Sequence, residues 1–443
     1  MLFPPAPTRG RILRLALPII GGMVSQNLLN LVNTAFVSVL GDRALAAVGY
    51  GSFANFMSLA FITGLSAGVQ AMAARRKGEG RESETAVPLN GGLLLAIGFG
   101  VPIAALVFFV APSVFPLLTS DPRVAELGTI YLQIRLLSVP ATGMNFAFRG
   151  YWNAVDLSKV YLRTLVVMHV VNAALDYTLI FGNFGAPRLG VEGAAWASVT
   201  ATWIGTAYYF AQAFVRTREN GFLRSVPSAA TMLAMLRTSL PAAGQQFLFA
   251  SGMMAFFAIV GRLGTAEVAA SNVLVNLLLV ALLPAMGFGL AAASLVGQAL
   301  GQRDARAARR WGWDVVRTAV PIVALLGAIG FAVPDLVLSV FLHDPETRAL
   351  ARWPLRVIAL SLPLDVVGTV LLNALLGAGD STRVLVVSTS MQWLVFLPIA
   401  YLVGPHLGLG LTAIWVANAA YRLLQTGIFA AIWRSDRWTT IKL

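Results

Sequence analysis

The sequence predicts an all-α integral membrane protein with twelve transmembrane helices in two pseudo-symmetric six-helix bundles. Its composition, the length of its apolar runs and an internal repeat carry that prediction. Hydrophobic residues make up 58% of the 443-residue chain and charged residues 12%, with a mean hydropathy of +0.76. A water-soluble domain carries about 25% charged residues, so this chain has too little polar surface to face water. A spanning helix takes about 20 mostly apolar residues. Runs of that size fall at 12–40, 45–73, 87–116, 123–152, 159–182, 190–215, 233–261, 266–298, 308–334, 346–377, 383–404 and 407–433. The alternating apolar and polar residues of a membrane barrel are absent from them.

The repeat organises these runs. "LALPIIGG" around Pro18 returns as "SLPAAGQQ" around Pro241, an offset of 223, and "LGDRALAAVGYGS" from Leu40 returns as "LGTAEVAASNVLV" from Leu263. Gly64 pairs with Gly287 and Gly78 with Gly301 at the same offset. "NAVDLSK" ending at Lys159 matches "GAGDSTR" ending at Arg383, and "GVEGAAWAS" from Gly190 matches "GLGLTAIWV" from Gly408. The predicted lobes are residues 1–218 and 219–443, each of six helices. An even number of helices brings both halves in from the same side, so they are parallel repeats of the kind found in transporters. Pro18 and Pro241 sit near the start of the first helix of each half. Each removes a backbone hydrogen bond, which makes it a hinge or a static kink.

The net charge of +13 reads as topology and not as nucleic-acid binding. With both termini cytoplasmic, 24 of the 32 Lys and Arg fall on one side: Arg9 to Arg14, Arg75 to Arg81, Arg149 to Arg163, Arg216 to Arg237, Arg303 to Arg317, Arg383, and Arg422 to Lys442. That is the positive-inside bias, and it places the chain in a cell's inner (plasma) membrane, among lipids. The first apolar run lacks a small-residue cleavage site and reads as a mature helix. With no cysteine there is no thiol chemistry, and His169, His343 and His406 are too scattered for a metal motif. No cofactor is expected beyond a coupling Na⁺ or H⁺.

A charge at bilayer depth costs roughly 2.5–3.5 kcal/mol on insertion scales, so each intramembrane acid needs a reason. In "HVVNAALDYTLIF", His169, Asn172 and Asp176 share one helical face, with Asp176 about 10 Å from the outer loop at 1.5 Å per residue. The first segment carries a stripe of Gln26, Asn30 and Asn33, and Ser198 of the sixth reaches the same depth. Asn33, Asn172, Asp176 and Ser198 thus meet at one level, where oxygen ligands suit a hard monovalent cation or a carboxyl-bound proton. The alternative for Asp176 is a structural hub paired with Arg135. In the second half Phe256 and Phe249 replace Asn33 and Gln26. Asp365 and Arg422 there share a depth and form either a buried ion pair or a second polar site.

At these residues the chain resembles the MATE family of multidrug and toxic-compound exporters. The match rests on "LALPII", "LGDRALAAVG", "FRGYWNAVDLSK", "VVNAALDYTLIFG…LGVEGAAWAS", "LGTAEVAASNV" and "LLGAGDSTR", and runs over nearly the whole chain. The resemblance implies a V-shaped pair of six-helix bundles and antiport, with inward Na⁺ or H⁺ driving the export of amphipathic or cationic compounds. Asn172 and Asp176 match the family's cation-site asparagine and aspartate, and Ser198 stands where threonine is usual. Asp365 matches an acid that some branches use. Two departures stand out: the first-helix aspartate of the family's "VDTA" is Asn33 in "VNTA", and the glutamate of the seventh helix falls on Phe249. The site therefore offers one carboxylate where relatives have two.

The rival reading is a flippase for lipid-linked sugars, which typically has two extra helices and a strongly cationic cavity; neither is evident. An enzyme needs clustered acids, histidines or a nucleophile facing water, and only the His169–Asn172–Asp176 face approaches that. The expected protein is a monomeric transporter of an organic-cation or drug-like small molecule. Phe53, Phe56, Phe148 and Trp152 either stack on flat cations or serve as packing.

Overall fold

A computed structural model describes residues 4–441; Lys442, counted above with the basic end, lies outside them. Among the described residues there is no strand, and twelve helical passes follow one another. They are α1 (Ala6–Ser38), α2 (Asp42–Thr63, resuming as Leu65–Gly78), α3 (Val87–Leu118), α4 (Pro122–Leu136, resuming as Val139–Ala154), α5 (Ser158–Phe181) and α6 (Val191–Arg216). Then come α7 (Ala229–Val260), α8 (Thr265–Gly301), α9 (Ala305–Ala332), α10 (Pro345–Ala378), α11 (Ser381–Ser390, running on to His406) and α12 (Gly410–Arg434). Eight helices are long and apolar enough to cross a membrane, and the bent pair within α2 makes a ninth. The other three passes are leaner. α4 is broken into pieces of 15 and 16 residues, α6 is diluted by Ser, Thr, Gly, Trp and Tyr, and α12 carries Arg422 within its length.

Local chemistry sets the boundaries. Asp121 and Asp344 cap α4 and α10, each followed by a proline whose missing N–H is no loss in a first turn. The Asp121 carboxyl is held below the usual carboxylate range by the Arg123 backbone N–H, and Asp344 by the Thr347 hydroxyl and then its N–H. Gly182 and Gly379 end α5 and α10 in the left-handed region, at φ 77° and 92°, where a side chain would be strained. Within α11, Met391–Phe396 and Leu402–His406 are wide π turns, a feature frequent at functional sites.

Packing divides the chain into two compact units, Gly21–Ala243 and Met1–Ile20 with Gly244–Leu443. This grouping differs from the lobes 1–218 and 219–443 defined by the repeat. The reason lies in α1 and α7, which change unit just beyond their internal prolines, Pro18 and Pro241. In the unit containing α8–α12 the core is aromatic and aliphatic, with Phe256, Phe288, Trp415, Phe429, Trp433 and Trp438 at most 2% exposed. In the other, Phe148 packs between Trp152 and Tyr209.

Small residues let the helices close on one another, as is usual where lipid removes the hydrophobic drive between them. A methyl group at Gly377 of α10 would run into the backbone of Ala293 on α8, whereas at Gly98 of α3 it meets nothing within 4 Å. Gly377→Val should therefore destabilise the protein by about 1–3 kcal/mol through overpacking and Gly98→Val should not. Thermal unfolding of the two variants side by side checks this.

Candidate functional site

A polar seam joins α1 and α5. It can form because Gly22 of α1 is bare: a Cβ there would stand 2.6 Å from the ring of Tyr161 and 2.9 Å from Leu165 on α5. Beyond that close approach the stripe on α1 meets the stripe on α5. Asp176, 1% exposed, receives the side-chain amide of Asn172 on Oδ2. The Asn33 amide stands 3.3 Å from Asn172 Nδ2. Turned nitrogen-inward, it donates to Asp176 Oδ2 at 2.8 Å and to Leu29 O at 3.3 Å. Both amides thus converge on one carboxylate oxygen. The other, Oδ1, is buried without a hydrogen-bond partner.

Nearer the basic end of the seam sits His169, 8% exposed. Its Nδ1 meets the Ser25 hydroxyl at 2.5 Å and its Nε2 meets Gln26 Oε1 at 3.2 Å. One neutral tautomer satisfies both contacts, with Ser25 donating to Nδ1 and Nε2–H donating to Gln26. Gln26 Nε2 in turn donates to Asn30 Oδ1 at 3.3 Å. Ser25 did not stand out in the sequence, because a helical serine ordinarily bonds its own backbone; its position beside Gln26, facing His169, was the available signal.

The structure joins Asn33, Asn172 and Asp176 directly. Ser198, buried in α6, makes no hydrogen bond to them among the described residues. Arg135 is close enough for its charge to act on Asp176, yet the two form no ion pair: Arg135 Nε and Asp176 Oδ1 both lack partners. In the second unit Asp365, 3% exposed, accepts from the Ser361 hydroxyl at 3.4 Å. Arg422 lies within electrostatic range of it, but the buried ion pair is not formed among the described residues. The Arg422 guanidinium lies 5.9 Å from the Tyr421 ring centroid and its Nε has no partner. Depth counted along a sequence does not fix which way each side chain turns. Phe148 and Trp152 are fully buried packing residues, while Phe53 and Phe56 are 43% and 48% exposed. A separate apolar cleft of about 790 Å³, lined by residues that include Ile97, Met144, Trp203 and Phe210, offers little to a cation. Its one hydroxyl, on Thr206, already bonds Asn145 Oδ1 at 2.9 Å.

The MatE family matches residues 18–178 and again 241–402. The chain belongs to the MATE family of efflux transporters. The two matched stretches begin at Pro18 and Pro241, the prolines past which α1 and α7 change unit. The chain is 25% identical over 442 residues to the probable multidrug resistance protein NorM of Thermotoga maritima, covering 97% of this chain and 93% of that protein. It is 26% identical over 435 residues to the multidrug resistance protein NorM of Burkholderia vietnamiensis, covering 94% and 92%. Its fold matches the outward-facing conformation of a multidrug resistance MATE transporter with a TM-score of 0.90, at 21% identity and over 98% and 97% of the two chains. A MOP-superfamily transporter from Pyrococcus furiosus matches with a TM-score of 0.87, at 21% identity and over 97% and 95%.

The MATE repeat makes the two units comparable position by position. At offset 223 Asn33 corresponds to Phe256, and at offset 224 Asn172 corresponds to Phe396 and Asp176 to Ala400. Phe256 and Phe396 stack at 5.8 Å, so the same helix contact is made by rings where the first unit uses amides. One level inward, Ser25 and His169 correspond to Leu248 and Trp393, and Trp393 Nε1 donates to Leu248 O at 3.1 Å. Each unit keeps the joint; only the first makes it of groups that can take a cation. Phe256→Ala should cost about 3–5 kcal/mol, as for a large aromatic removed from a core. Asn33→Ala should cost about 1–3 kcal/mol, as for one buried hydrogen bond to a charged group. Thermal or denaturant unfolding of the purified variants orders the two.

Proposed function

We propose that this MATE chain is a cation-coupled antiporter that exports amphipathic or cationic small molecules by alternating access, with Asp176 carrying the coupling cation. The observation that carries the reading is the half-satisfied carboxylate: Asp176 is buried, one oxygen takes two amides, and the other has no partner. An intramembrane acid in that state needs a further positive charge. The donor set favours a proton over Na⁺. A hard metal ion is held by a shell of oxygen atoms, whereas Asn33 and Asn172 turn N–H groups toward the carboxylate and Asn33 replaces the second acid. A proton needs only Oδ1. The drug-like cargo is carried over from the multidrug resistance relatives.

The bias of basic residues toward one set of junctions supports cytoplasmic termini and a place in a cell's inner membrane. Pro18 and Pro241 serve as hinges in this reading, each freeing the carbonyl four residues before it. They lie where α1 and α7 change unit.

In proteoliposomes with separately imposed H⁺ and Na⁺ gradients, export of a dye cation should follow the H⁺ gradient. It should stop when that gradient is dissipated. Asp176→Asn should abolish gradient-driven export while leaving dye binding in place; normal export by that variant would overturn the site assignment.

A further inference from the structure

We propose that His169 is a second proton-binding group of this transporter, placed between Asp176 and the basic end of the α1–α5 seam. The inference rests on the proton-coupled reading above and extends it to a residue that reading does not use.

The geometry supports a second proton on the ring. Both partners of His169 are able to accept: a serine hydroxyl has two lone pairs and Gln26 presents Oε1. When Nδ1 gains a proton, Ser25 need only rotate its hydroxyl hydrogen away and receive the new N–H. The Nε2–H bond to Gln26 is unchanged. Both hydrogen bonds survive the change of charge without a change of rotamer.

The surroundings neither fix the ring's charge nor cancel it. α1 has no titratable residue from Gly21 to Ser38, and α6 has none from Ser198 to Ala207. Tyr208 and Tyr209 lie further toward the basic end of α6. On α5 itself the nearest are Tyr161 and Arg163 inward and Asp176 outward, the last about 10 Å along the axis at 1.5 Å per residue. On α4, Arg135 acts on Asp176, and Arg149 is bonded to the Ser66 hydroxyl at 3.2 Å. The chain of contacts from the ring ends at the surface of the helix: Gln26 is half-buried and its partner Asn30 is exposed. The second unit makes the same joint with Trp393, whose indole N–H serves the contact but cannot take a proton. A structural latch is therefore available without a titratable ring, and the first unit has a titratable one.

His169→Gln separates the two roles, because glutamine keeps one donor and one acceptor for Ser25 and Gln26 but cannot be protonated. The full-length variant in proteoliposomes should unfold at the wild-type temperature and bind the dye cation. Its H⁺-driven export should fall roughly tenfold, within the range typical of coupling between two ligand sites. His169→Ala should lose stability as well. A direct readout comes from ¹⁵N-histidine spectra in lipid bilayers of protein carrying His343→Gln and His406→Gln. The remaining ring should pass from one protonated nitrogen to two as the pH falls through the range in which the protein transports. A ring that stays neutral over that range, or a His169→Gln variant with the wild-type pH profile of export, overturns the proposal. The spectra do not depend on transport, so failure of the Asp176 reading, seen as active Asp176→Asn, is distinguishable from failure of this one.

Discussion

A carboxylate buried among membrane helices has no water to hydrate it, and the first unit is arranged around that constraint. Asp176 is approached by Asn172 from its own helix and by Asn33 from α1. The second contact requires α1 to lie against α5, which the bare Cα of Gly22 permits. Once the two helices touch there, Ser25 and Gln26 come opposite His169. The stripe of polar residues on α1 then has a partner at each turn. Removing the acid would leave these amides facing one another without a reason to be buried.

Duplication supplied the same backbone twice, and the second copy solved a simpler problem. Its equivalent seam contains no acid, so it needs no polar lining, and rings fill the space with dispersion contacts. The π turns of α11 coincide with this stretch. They bring Gln392 as well as Trp393 onto the carbonyls of α7, at 3.1 Å in each case. Asp365 and Arg422 border this joint through Tyr421, which stacks on Phe396.

The helices were legible in the sequence because a bilayer imposes one length on every span; all twelve runs became passes, including lean ones such as α6 and α12. The π turns were not, since their residues read like any apolar helix. In the site, the face shared by His169, Asn172 and Asp176 followed from helical periodicity alone, and the match to α1 followed from depth. Depth gives height along the axis but not rotation about it. For that reason Ser198 makes no hydrogen bond to Asp176 among the described residues, and Asp365 and Arg422 do not close into a pair. The packing units were hidden for another reason. A repeat records descent, and nothing in it says that α1 and α7 would change neighbours past a proline.

The Phe256–Phe396 stack has a consequence for how this protein can change over generations. Giving the second unit the polar seam of the first would mean replacing two interlocked rings with two small amides and adding an acid at Ala400. Any one of those changes alone leaves either a ring-sized void or a polar group with no partner, and both are strongly destabilising. Every intermediate sequence on that route is thus less stable than its start. The difference between the copies works as a ratchet: once a pair of aromatics fills the joint, single changes toward the polar version are closed.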